Sequence, residues 1–145
     1  MSHLNVSSAD QQNHTNPQTL GKPMKLALWI VQSLLAVFFL GAGCMKLFAF
    51  DKIAAQIPAL ADQHGLVIFI GTCEVAGALG LILPGLTKIM PFLMTWAAAG
   101  LATIMVLATG FHLMRGEYSH VFITLTIFAL AAFVVYGRGF RTKST

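Results

Sequence analysis

Apolar residues along this chain come in four long blocks: Leu26 to Phe50, Leu66 to Leu83, Phe92 to Met114 and Ser119 to Gly137. Each approaches the roughly 20 residues that a helix needs to cross a bilayer. Polar positions inside the blocks are few: Lys46 in the first, Glu74 in the second, His112 in the third, Thr124 and Thr126 in the fourth. No block has the polar face by which a helix of a soluble bundle meets water, so core helices of a soluble protein do not fit. The blocks are separated by turn-forming stretches: Asp51 to Gly65 with Asp51, Lys52, Pro58 and Asp62, then Pro84-Gly85 through Pro91, then Arg115-Gly116-Glu117. Short connections make neighbouring helices run antiparallel, which predicts an all-α fold, an up-down-up-down four-helix transmembrane bundle. No internal repeat is evident.

The polar stretch that precedes the first block, MSHLNVSSADQQNHTNPQTLGKP, has almost nothing that could form a core. Residues 1–23 therefore read as a disordered tail, 24–140 as the membrane domain and 141–145 as a basic C-terminal tail. The N-terminal segment is too long and polar for a secretory n-region, and no A-x-A site follows the first apolar block. Gly41 stands where the lipidation box around Cys44 needs a Leu-like residue. Lys22, Lys25, Lys88, Arg138, Arg141 and Lys143 fall on one side of the bundle, and Lys46, Lys52 and Arg115 on the other. That excess predicts a multi-pass membrane protein with both termini in the cytoplasm. The glycosylation triplets at Asn5 and Asn13 then go unused.

Composition agrees: 57% of residues are hydrophobic and only 10% charged, with mean hydropathy +0.76. Soluble domains carry about 25% charged residues. The net charge of +4 is spread over loops and tails, so nucleic acid is not a partner and the bilayer is. Cys44 and Cys73 form no CxxC or zinc-ligand spacing and read as small packed hydrophobes.

Depth brings three polar residues together. At about 1.5 Å per residue, Lys46 lies roughly 6 Å inside the outer end of its helix, Glu74 roughly 12 Å deep, and His112 roughly 3 Å inside. All three occupy the outer half, and the lysine stem spans about another 6 Å. Helix one has thirteen Leu, Ile, Val or Phe residues. These contribute about 4 to 8 kcal/mol of insertion energy, which tolerates a lysine costing about 3 kcal/mol. Helix two has ten such residues. With about 3 to 6 kcal/mol against about 3 for a central acid, Glu74 should be either protonated or paired with a cation.

Helical faces favour pairing. Gln32, Phe39, Gly43 and Lys46 share one stripe of helix one, and Ile70, Gly71, Gly77, Ala78 and Leu81 surround Glu74 on helix two. Small residues beside a polar group admit a neighbouring backbone, and Ala98, Ala99, Ala102 and Thr103 give helix three a similar surface.

Each candidate also has a bland reading. Lys46 fits a snorkelling anchor, Glu74 a buried structural partner, and His112 a satisfied interfacial histidine. Trp29, Trp96 and Tyr136 suit an aromatic belt at the inner ends of their spans. No two of His64, His112 and His120 stand at i, i+4, so no metal site is assigned. Haem ligands at matched depth are likewise not found.

Several motifs carry a resemblance. Gly43-Cys44-Met45-Lys46, the run from Gly71 through Glu74 to Pro84, His112 followed by Arg115-Gly116-Glu117, and Gly137-Arg138 resemble the DoxX-like family over roughly residues 26 to 140. The resemblance implies a four-helix protein of the bacterial inner membrane. The superfamily is named for a subunit associated with a quinone-linked terminal oxidase and thiosulfate oxidation.

Three functional expectations follow. In the first, Lys46, Glu74 and His112 line an outer-half pocket for a small amphipathic molecule, with quinone or quinol suggested by the resemblance. Glu74 exchanges protons, Lys46 sets its charge, and His112 links it to water. Gln32 and Arg138 are secondary candidates, and no cofactor is built in. In the second, the chain is an accessory subunit or assembly factor docking on a larger membrane oxidoreductase, or on copies of itself, through its small-residue faces. In the third, it is an intramembrane isomerase with Glu74 as acid and base. Whether it is an enzyme stays open between them.

Overall fold

The computed structural model describes residues 21–90 and 92–139. Four helices are long and apolar enough to cross a membrane: α1 (Lys22–Phe48), α3 (His64–Thr87), α4 (Phe92–Met114) and α5 (Tyr118–Gly139). A short helix, α2 (Phe50–Gln56), and a single 3₁₀ turn (Pro58–Leu60) lie between α1 and α3. The chain is a multi-pass helical membrane protein, and the expected four-helix bundle is its fold.

Two ends of the spans differ from expectation for reasons of proline chemistry. α1 starts at Lys22, inside the stretch read as tail, because Pro23 sits in the first turn. There its missing N–H and fixed φ cost nothing. The remainder of that tail, residues 1–20, and the C-terminal segment from 140 lie outside the described residues. α3 runs through Pro84, which the sequence reading takes as the start of a turn, and ends only at Thr87. Pro84 is buried and one turn from the end, where packing by neighbouring helices offsets the hydrogen bond that proline removes. The stop comes at Lys88, with φ 57°.

The spans form a ring in which α1 packs on α3, α3 on α4, α4 on α5, and α5 returns to α1. Leu35, Phe39, Leu81, Ala98, Leu101, Ala131 and Val134 fill the centre. Leu34, Val37, Phe69, Trp96, Leu107 and Phe122 are exposed on the outside, where acyl chains cover them. α1 and α3 touch backbone to backbone. A Cβ on Gly43 would stand 2.8 Å from the Gly71 carbonyl oxygen, and one on Gly71 would stand 2.8 Å from Lys46 Cβ. This approach sets the position from which Lys46 reaches the middle of α3.

Candidate functional site

Lys46 is in the last turn of α1 and Glu74 is halfway along α3. The antiparallel crossing at the two glycines brings them face to face. Lys46 Nζ donates to both carboxylate oxygens of Glu74, at 3.0 Å to Oε1 and 2.7 Å to Oε2. Glu74 is 3% exposed and Lys46 26%. The acid is therefore sheltered by protein and answered by a cation, as the insertion energies require of an ionised group at that depth. Of its three N–H groups, Lys46 spends two on the carboxylate, and the carboxylate keeps lone pairs beyond those the lysine takes.

Both groups open onto a cavity of about 570 Å³ between the four spans, a size suited to a small organic molecule. Its wall is mostly apolar, with Phe38 and Met45 from α1, Ile70 from α3, Ile104 and Phe111 from α4, and Ile127 from α5. Polar groups are limited to Lys46, Glu74, Gln56, His112, His120 and Thr124. Ile53, Ile57 and Leu60, from α2 and the turn after it, complete the lining. Phe38, Met45, Leu66, Leu107 and Ile123 line the cavity and are also exposed on the bundle surface, so the cavity communicates with the lipid-facing side.

His112 shares that wall, but its hydrogen bond goes elsewhere. Its Nδ1 lies 2.6 Å from Glu117 Oε2, while Arg115 Nε donates to Glu117 Oε1 at 2.7 Å. The cause is local. Gly116 has φ 72°, the Gly116 N–H bonds to the Leu113 carbonyl, and the Glu117 N–H bonds to the His112 carbonyl. This pattern is a Schellman turn, which sets the third-last helical residue beside the second residue past the cap. Those two residues are His112 and Glu117. Depth alone joins His112 to Glu74 and gives Glu117 only a place in the turn; Gly116, two residues past the end of the apolar block, was the available signal of a chain reversal. The His112 ring, then the Arg115 guanidinium, hold the Glu117 carboxyl below the usual carboxylate range. His120, one turn into α5, stacks on His112 with ring centroids 4.9 Å apart. His112, Glu117 and His120 thus offer ligand atoms within 4.8 Å of one another, across a turn that an i, i+4 search does not cover.

At the other end of the bundle Gln32 and Arg138 form a separate centre. Gln32 is 0% exposed. Its Nε2 donates to the Leu81 carbonyl at 2.9 Å and to Met94 Sδ at 3.4 Å. Its Oε1 accepts from Arg138 Nε at 2.9 Å and Nη2 at 2.6 Å. The Arg138 guanidinium also lies over the Trp29 ring at 5.5 Å. Cys44 and Cys73 are free thiols, each half-buried.

A family model described as the DoxX-like family matches residues 30–134. The chain belongs to the DoxX-like family. The match takes in all of α3 and α4 and most of α1 and α5, including Lys46, Glu74 and His112, and stops short of Arg138. Neither the curated proteins nor the solved structures give a significant match.

Proposed function

We propose that this DoxX-like protein binds a small lipophilic molecule carrying oxygen functions, quinone or quinol foremost, in the cavity at the Lys46–Glu74 pair. The observation that supports this reading is an ion pair, sheltered by the bundle, whose spare donor and acceptor capacity faces an apolar cavity of about 570 Å³. The remaining Lys46 N–H suits a ligand carbonyl, and Glu74 suits a ligand hydroxyl, with which it exchanges a proton. An amphipathic ligand enters from the bilayer past the exposed lining residues. In the orientation favoured by the basic residues, the site lies in the outer half of a bacterial inner membrane.

Several of the small residues that prompted the docking reading are used within the bundle, while Thr103 stays exposed. Gly77 meets Leu101, Gly80 meets Ala97, and Ala98 is fully buried. Ligand binding therefore has the better support.

The test is a titration of the purified protein with a short-chain quinone, followed by quenching of tryptophan emission. Lys46→Met/Glu74→Gln should lose at least about tenfold in affinity, the worth of roughly 1.4 kcal/mol. Equal affinity in the double variant removes the pair from the site.

A further inference from the structure

The turn between α4 and α5 holds a second cluster whose chemistry differs from that of the ion pair. We infer that His112, Glu117 and His120 form a binding site for a borderline divalent transition metal, Zn²⁺ foremost, on the wall of the cavity. The donor set is two imidazoles and a carboxylate, a combination that holds zinc with a further position open. Their ligand atoms lie within 4.8 Å of one another. In a tetrahedral zinc site with bonds of about 2.0–2.1 Å, ligand atoms stand about 3.3 Å apart. Reaching that spacing needs His112 Nδ1 and Glu117 Oε2 to part from their present 2.6 Å. It also needs the His120 ring, exposed and stacked on His112, to turn out of that stack and close in.

The environment supports this assignment. One proton lies between His112 Nδ1 and Glu117 Oε2, and a cation entering there replaces it, the proton leaving to solvent. Arg115 already occupies the other carboxylate oxygen, which orients Oε2 as hydrogen bonds behind a metal's ligands orient them. The backbone fixes the spacing, because Gly116 sets His112 against Glu117 and Glu117 leads directly into α5, which carries His120. Both histidines line the cavity, so a metal held by them would be within reach of its contents. This inference does not rest on the lipophile reading, since the cluster and the ion pair share no residue.

The experiment uses the full-length protein with His3→Ala and His14→Ala, so that the N-terminal segment adds no imidazole. Co²⁺ is titrated and read by visible absorption, then displaced with Zn²⁺. A single ion per chain with intense four-coordinate bands is expected. Those bands should vanish in His112→Ala/His120→Ala, and Glu117→Gln should weaken binding by about tenfold or more. Glu74→Gln should leave them unchanged, which separates this site from the one at the ion pair. The single variant His120→Ala alters only an exposed side chain, and circular dichroism verifies its fold; it too should lose the bands. Absence of bands in the parent protein, or their survival in either histidine variant, overturns the assignment.

Discussion

Two of the bundle's polar centres each answer a side chain of α1, and they differ in what they leave over. At Gln32 every hydrogen-bonding place of the amide is taken: two donors by Leu81 and Met94, two acceptor positions by Arg138. Leu28 presses on Gly137 beside it, so close that a Cβ on that glycine would stand 2.5 Å from a Leu28 methyl. At Lys46 the ammonium and the carboxylate satisfy each other but retain capacity, and a cavity adjoins them. A saturated, close-packed centre fixes how helices meet. An unsaturated one beside open space is fitted for a guest.

The comparison can be broken most directly at the lysine. Lys46→Met leaves Glu74 buried beside no cation, and should cost about 3 kcal/mol of stability in detergent, at the low end for a broken buried pair because Lys46 is partly exposed. It should also weaken quinone binding by about tenfold or more. Adding Glu74→Gln should restore much of the stability but none of the binding, and a thermal melt of the four proteins in this cycle measures the coupling. A smaller effect is expected at the helix contact. Gly43→Ala drives a methyl against the Gly71 carbonyl and Val75, both at 2.8 Å, and should lower stability by about 2 kcal/mol while shifting Lys46 from the carboxylate.

Gln32→Leu sharpens the contrast from the other side. Hydrogen bonds within membrane bundles contribute about 0.6 to 1.7 kcal/mol each, so loss of the amide should lower the melting temperature modestly. Quinone affinity should not change; a large loss would show that the two centres are not separate.

The smallest effect concerns acid. Glu117 has its carboxyl held below the ordinary value of 4.5 by His112 and then Arg115. Its ionised form is thus favoured by folding. The contribution is complete above pH 4.5 and is lost as pH falls below it, through the lowered value. The melting temperature of the parent should fall more steeply in that window than that of Glu117→Gln.

Much of this was legible in the chain. Continuous apolar blocks locate the spans to within a few residues, and Phe92 to Met114 coincides with α4. Glu74 announces a partner because an acid at that depth is costly alone, and Lys46 on the adjoining helix carries the stem that reaches it. Three features were hidden because they depend on contacts rather than patterns. α3 continues past Pro84 because of its buried surroundings. Arg138 meets Gln32 across 106 positions of sequence. His112 turns to Glu117 because a left-handed glycine folds the chain back on itself.

The seven-residue α2 contributes Ile53 and Gln56 to the cavity lining, yet packs chiefly on the end of α1 and on the turn that follows it. The lining thus has two sources: four spans whose faces are committed to holding one another, and a short segment with no such duty, so change at Ile53 or Gln56 alters what the cavity accepts at little cost to the bundle.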